Sequence, residues 1–231
     1  MNLALASRRA RLACLAALAL GSSAVRASAG QSLPAPPFAG PCVAAPPFQS
    51  SWLALGSPAQ SGQVVITEFM KDPTFVSDTH GEWIEIWNSL PWRCNLDGWI
   101  LSDDSGSVHV FSSGGTNSLV MRPGQRFVLA LDGNPATNGG VPVNYVYSGF
   151  TLSNSSADQI ILSKPNGTLV DRVEFDNTNY PHTPGRSIQL NENFRSVYYN
   201  DDPGEWCHSQ SNWSGGNPDT GTPGQINDPC Q

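Results

Sequence analysis

The chain lacks the means to span a bilayer: its apolar run from Leu12 to Leu20 falls far short of the ~20 residues a crossing helix needs, and no later segment does better. It also lacks a Gly-x-Ser-x-Gly elbow, a His-Glu-x-x-His pair, a P-loop and a dinucleotide fingerprint. Those absences remove the commonest serine hydrolase, zinc peptidase and nucleotide-dependent classes. No Cys-x-x-Cys pair occurs, and the wide cysteine spacings exclude the usual zinc finger or ribbon. Basic residues are scarce and scattered, 12 against 19 acidic, so nothing on the chain would track a phosphate backbone and nucleic acid is not an expected partner. Internal repeats are absent, as is any helical stretch beyond the first thirty residues.

What is present begins with a basic stretch ending at Arg11, the apolar run, and a small-residue segment closing Ala27-Ser28-Ala29. That order is a secretory signal peptide over residues 1–29, cut before Gly30. Ser7-Arg8-Arg9-Ala10-Arg11-Leu12 partly resembles a twin-arginine signal, with Arg11 where that pattern wants a large apolar residue. Cys14 does not make a lipoprotein signal, because most of the apolar run follows it. Cleavage removes Arg8, Arg9, Arg11 and Arg26, leaving eight basic residues against nineteen acidic ones, a net charge of −11. It also leaves an even set of cysteines, Cys42, Cys94, Cys207 and Cys230, which in an exported chain reads as two disulfides. Four cysteines permit three connectivities, and Cys42 to Cys230 with Cys94 to Cys207 is the pairing that would staple the ends of the domain. The expected location is therefore periplasmic, extracellular or at the cell surface.

Residues 30–62 carry Pro34-Ala35-Pro36-Pro37 and Pro46-Pro47 and no charge at all, the composition of an extended spacer, although Phe48 to Leu55 has the makings of an extra edge strand. From residue 63 to 227 short apolar runs alternate with Gly, Pro, Asn and Asp clusters, the pattern of an all-β sandwich or barrel, with 228–231 as a tail. Strands are expected near Val64–Met70, Glu82–Asn88, Trp99–Ser102, Val108–Phe111, Arg126–Leu131, Tyr145–Tyr147, Gln159–Lys164, Leu169–Phe175 and Ser187–Leu190. Pro165-Asn166-Gly167 signals a hairpin between two of them. In Glu82–Asn88, Ile84 and Ile86 share one face, the core face, while Trp83, Glu85 and Trp87 share the other. Asp97-Gly98 turns the chain so that Trp99 enters the next strand, and glycine is the residue that makes this corner without a Cβ clash.

Four blocks carry a resemblance. They are Val65 to Met70, Glu82 to Asn88, Asn95 to Asp103 with its Gly98-Trp99 pair, and the closing Gly221-Thr222-Pro223-Gly224 turn through Asn227. Phe150 to Ser155 leading into Asp158–Leu162, and Leu169 to Val173 after it, agree more weakly but in the right order. The chain thus resembles the lamin tail domain, including members found in secreted bacterial proteins. The resemblance implies an immunoglobulin-like β-sandwich and a non-catalytic module for adhesion, surface association or attachment. It implies structural roles for Trp83, Ile84, Ile86, Gly98, Trp99, Gly221, Pro223 and Gly224. The four cysteines and the proline-rich leader depart from the family pattern.

Candidate chemistry is sparse. His80, His109, His182 and His208 are scattered and read as solvated surface residues. Acidic loops at Asp72, Asp78 and Glu82, at Asp103 and Asp104, and at Asp201, Asp202 and Glu205 are turn-formers that would be the place for Ca²⁺ if any is bound; no metal ligand and no cofactor is named. Glu68, Glu82 and Glu85 invite comparison with a glycosidase carboxylate pair, but the reading favoured here makes Glu82 and Glu85 strand-end or edge charges. Trp92, Trp206 and Trp213 lie in polar segments where an exposed ring would suit a sugar or protein contact. The expected function is a binding or structural association module with an extracellular protein or glycan as partner. A carbohydrate-binding module using Trp92, Trp206 or Trp213 is the alternative, and a hydrolase built from loop carboxylates is a third.

Overall fold

The computed structural model describes residues 64–116, 119–213 and 217–231; the signal sequence, the proline-rich leader and Cys42 of the sequence reading lie outside the described residues. Among the described residues, twelve strands run in chain order: β1 (Val64–Met70), β2 (Trp83–Asn88), β3 (Cys94–Asn95), β4 (Ile100–Ser102), β5 (Val108–Val110), β6 (Val120–Met121), β7 (Arg126–Ala130), β8 (Tyr145–Val146), β9 (Asp158–Ser163), β10 (Leu169–Phe175), β11 (Ile188–Leu190) and β12 (Trp206–His208). One helical turn, α1 (Asp78–Gly81), and two 3-10 turns, Glu192–Phe194 and Pro203–Glu205, complete them.

Six strands form one sheet in the order β12-β11-β1-β2-β7-β8, four form a second in the order β10-β9-β4-β5, and β3 pairs with β6. This is the expected all-β, immunoglobulin-like sandwich. Every ladder is antiparallel except β7 with β8. All nine expected strands exist with ends shifted by a residue or so. The pairs β3 and β6, and β12, were not foreseen, because two- and three-residue strands carry too little period to read.

Period two explains the packing. Ile84 and Ile86 of β2 and Phe127 and Leu129 of β7 point between the sheets with Leu101, Ile160, Leu162 and Val173 from the opposing one. Trp99 is 1% exposed within this core, delivered by Gly98 at φ 79° and held by bonds from Gly98 N to Phe111 O and Trp99 N to Leu96 O. Gly167 takes φ 80° and donates to Lys164 O, closing the hairpin between β9 and β10.

The outer face of the six-stranded sheet is not solvent. Trp83, Met70, Val128, Ala130 and Val141 build a second apolar cluster there, with Trp213 packed against it. The chain from Gly221 to Cys230 lies across this face as a strap. A Cβ on Gly221 would stand 2.9 Å from both Trp83 and Trp213, which is why the closing turn carries glycine there.

A disulfide joins Cys207 in β12 to Cys230 in the strap, with Cα atoms 5.6 Å apart. The pairing favoured from the sequence is therefore corrected: the bond stitches the strap to the neighbouring edge strand. Cys94 is itself disulfide-bonded and wholly buried. With its halves 23 positions apart in sequence, loss of the Cys207–Cys230 bond in a Cys207→Ser/Cys230→Ser variant is expected to lower stability by about 3 kcal/mol, read by urea unfolding. An unchanged midpoint would mean that hydrogen bonds alone hold the strap.

Candidate functional site

The polar groups are best understood from what each one holds. Glu68 and Glu85 are cross-strand partners, both 0% exposed. Glu68 accepts from Thr222 N (2.8 Å), Thr222 Oγ1 (2.7 Å) and Ser187 Oγ (2.5 Å). Glu85 accepts from Gly224 N (2.8 Å), Thr67 Oγ1 (2.7 Å) and Arg126 Nη1 (2.6 Å). Arg126 also reaches Asn227 Oδ1 (3.1 Å) and Glu192. Further along the strap, Asp228 N donates to Gln189 Oε1, and the Asp228 carboxylate accepts from Ser209 Oγ, Gln210 N and Ser211 N and Oγ. Asp228 and Cys230, read from sequence as tail, are bound into the fold.

Glu82 and Glu85 are thus not edge charges: Glu82 is 2% exposed and accepts from Leu152 N at 3.0 Å. Burial pushes Glu82 up to about 8 and Asp171 up to about 7. Burial, and then the neighbouring Glu85, push Glu68 up as well. Burial raises Glu85 too, opposed by the Arg126 guanidinium. Perturbed carboxylates in a cleft are a sign of catalysis. Here Glu68, Glu82 and Glu85 line none of the cavities described below, and their oxygens receive backbone and side-chain donors of the chain itself.

Asp171 anchors a loop that does present a concave surface. Its Oδ2 accepts from Ile66 N and from Asn200 Nδ2 at 2.8 Å, and Asn200 O in turn accepts Trp206 Nε1 at 2.9 Å. Asn200 is 0% exposed, so this bond set pins the chain beside Tyr198 and Tyr199. Asp202 caps the following turn by accepting from Gly204 N at 2.9 Å. Around this loop a cavity of about 420 Å³ is lined by the carboxylates of Asp104, Asp158, Glu174, Asp176 and Asp201, with Phe175 and Tyr180 among the apolar walls. A second, of about 480 Å³, is lined by Tyr198, Tyr199, Asp201, Asp202, Pro203 and Glu205. The two share Asp201 and Pro203 and form one acidic trough; neither lining includes a lysine or arginine, and Arg172 at the margin is paired with Glu174 at 2.8 Å. Burial raises Asp158 and Asp201.

The sequence model of the Lamin Tail Domain family matches residues 57–177, just over half of the chain. The chain belongs to the lamin tail domain family. No curated protein matches it. The match covers β1 through β10 and ends before the closing turn, which is nonetheless bonded to the matched segment. Glu68 and Glu85 of the matched segment are the acceptors for Thr222 and Gly224 of that turn.

In this lamin-tail sandwich the tryptophans proposed for ligand contact are occupied otherwise. Trp206 is 5% exposed, its ring 5.5 Å from Phe69 and 5.8 Å from Tyr180, which corrects its reading as a contact residue. Trp213 packs edge-on against Trp83 at 6.1 Å and donates to Gly139 O at 2.8 Å. Trp92 is half-buried with its indole nitrogen enclosed. The three do not gather into one platform. His109, expected in solvent, is half-buried and bonds Tyr145 OH at 2.9 Å. Of the acidic loops, Asp103 caps its own turn through Ser105 and Ser107, and among the described residues no three His, Cys, Asp or Glu side chains converge as metal ligands. Among the described residues no helix is long and apolar enough to cross a membrane. Tyr198 and Tyr199 were missed by the sequence reading; two adjacent aromatics running into Asn-Asp-Asp-Pro-Gly-Glu was the available signal.

Proposed function

We propose that this lamin-tail chain is exported and acts outside the cytoplasm as a non-catalytic association module whose partner seats at the acidic trough. The observation that carries the recognition part is Tyr198, a large ring left 70% exposed at the rim of a concave, carboxylate-lined surface, with Tyr199 beside it at 41%. Such rings supply contact area with a polar tip. Export is supported by the signal-like residues 1–29 and by the Cys207–Cys230 bond, since disulfides persist in oxidising compartments. A non-catalytic role is supported by the family and by the internal commitments of Glu68, Glu82 and Glu85.

Fractionation of cells making the full chain, with N-terminal sequencing and thiol counting, is expected to give a product beginning at Gly30 without free thiols. A cytoplasmic product that keeps Met1 would overturn export. The mature, oxidised protein is then expected to bind a cell-envelope fraction saturably, and Tyr198→Ala to weaken that binding. Equal binding by the variant would move the contact surface elsewhere.

A further inference from the structure

We infer that Lys71 and Asn177 are the two halves of an internal isopeptide bond, an amide that joins the Lys71 amine to the Asn177 side chain and ties one sheet of the sandwich to the other. The inference is independent of the acidic trough and of export.

Lys71 follows the last residue of β1, and Asn177 stands just beyond the end of β10. The two are 106 positions apart in sequence, and their strands belong to different sheets. Lys71 is only 3% exposed, whereas lysine is almost never sealed unless it is paired. A buried ammonium ordinarily faces a carboxylate, yet among the described residues no ion pair includes Lys71. Its Nζ instead meets Asn177 Oδ1 at 2.5 Å, nearer than an ordinary N–H···O bond, and Ser153 O at 3.4 Å. The Phe175 ring lies under it, with Nζ 5.4 Å from the ring centre.

The carboxamide is held in place for attack. Asn177 Nδ2 donates to Asn154 O at 2.8 Å, which turns Oδ1 toward the lysine and leaves Cγ one carbonyl bond beyond it, about 1.2 Å. Asp176 fixes the turn by accepting from Thr178 N at 2.6 Å and Asn179 N at 2.7 Å. Holding amine and carbonyl in contact supplies the proximity that this reaction lacks in solution. Burial pushes the Lys71 ammonium down, against the attraction of Asp72, Asp158 and Asp176, so more of it is free amine than on a surface lysine.

The step balances without a co-reactant. The lone pair of neutral Nζ forms a bond to Asn177 Cγ, the Cγ–Nδ2 bond breaks, and Nδ2 leaves as ammonia with a proton taken from Nζ. Asp72, Asp158 and Asp176 attract the positive charge that builds on Nζ as the new bond forms. Asn177 is exposed, which gives the ammonia a way out to solvent. The product clamps β1 to the end of β10, so a pull on the chain cannot part them without breaking a covalent bond.

The test is the intact mass of the purified, reduced protein, followed by trypsin digestion and fragment sequencing. The expected mass is about 17 Da below that of the sequence, the loss of one ammonia. Trypsin is expected to leave the chain uncut after Lys71 and to yield a branched product in which the Lys71 peptide carries Val173–Arg186. Lys71→Arg and Asn177→Ala should each restore the full mass. Asn177 lies on an exposed turn, so its truncation leaves a folded chain for comparison, checked by an unchanged circular dichroism spectrum. A full mass in the wild-type protein, ordinary cleavage after Lys71, or a deficit that persists in Asn177→Ala would each overturn the inference.

Discussion

Replacing Glu85 with alanine is expected to lower the unfolding free energy by about 3–5 kcal/mol, because it leaves a buried guanidinium without its closest partner. Arg126 has a side chain 6% exposed and faces Glu85 at 2.6 Å. The same substitution strips an acceptor from Thr67 Oγ1 and from Gly224 N, each bond worth about 1 kcal/mol net. Glu192, which Arg126 also contacts, limits the damage without replacing a carboxylate inside the sheet face. Glu85→Gln is expected to fall between wild type and Glu85→Ala, since it keeps an acceptor and loses the charge. Glu85→Ala/Arg126→Met is expected to recover part of the loss, because it removes the unpaired charge. Urea unfolding gives these values, and hydrogen exchange at residues 221–228 reports whether the strap opens first. A loss below 1 kcal/mol for Glu85→Ala would show that Arg126 is not anchored through this carboxylate.

That experiment also marks the point at which local sequence reading stops. The two-residue period in Glu82–Asn88 assigns Ile84 and Ile86 to the core, and nothing within those residues says that Trp83 and Glu85 are covered too. Their cover is more than 130 residues away in the chain, and it returns through Gly221, Thr222 and Gly224. Glycines at 98 and 167 were legible because the turn they make is local. The Cys207–Cys230 bond was not, since pairing depends on which strand the strap lies beside. The tryptophans misled for the same reason: polar neighbours of Trp206 and Trp213 in sequence are not their neighbours in space. Tyr198 and Tyr199 escaped notice although their acidic flank was seen, because ring exposure depends on the Asp171–Asn200 anchor beneath them.

Raising the pH from 5 to 8.5 is expected to weaken the fold, and Glu82→Gln to remove much of that weakening. Burial moves Glu82 from an ordinary 4.5 to about 8 in the folded chain. Below 4.5 both states hold the proton and the shift has no effect. Between 4.5 and 8 the native state keeps a proton that the unfolded chain releases, so each step up in pH favours unfolding. Above 8 both states are ionised, and the native state carries a nearly sealed carboxylate with Leu152 N as its donor. At about 1.4 kcal/mol per pKa unit, the effect of this one group is of the order of 3–5 kcal/mol across the window. Asp171, pushed up to about 7, and Glu68, pushed up beside Glu85, act in the same direction. Glutamine keeps a carbonyl for Leu152 N and never ionises. Glu82→Gln should therefore match wild type near pH 5 and exceed it at pH 8.5, with a higher melting temperature there. Tyr147, wholly buried and raised by burial and by the charge on Glu82, gives a second readout: its hydroxyl should remain protonated throughout the titration. Stability that stays level from pH 5 to 8.5, or a variant less stable than wild type at pH 8.5, would mean that the fold holds Glu82 as the ionised carboxylate, with donors enough to offset its burial.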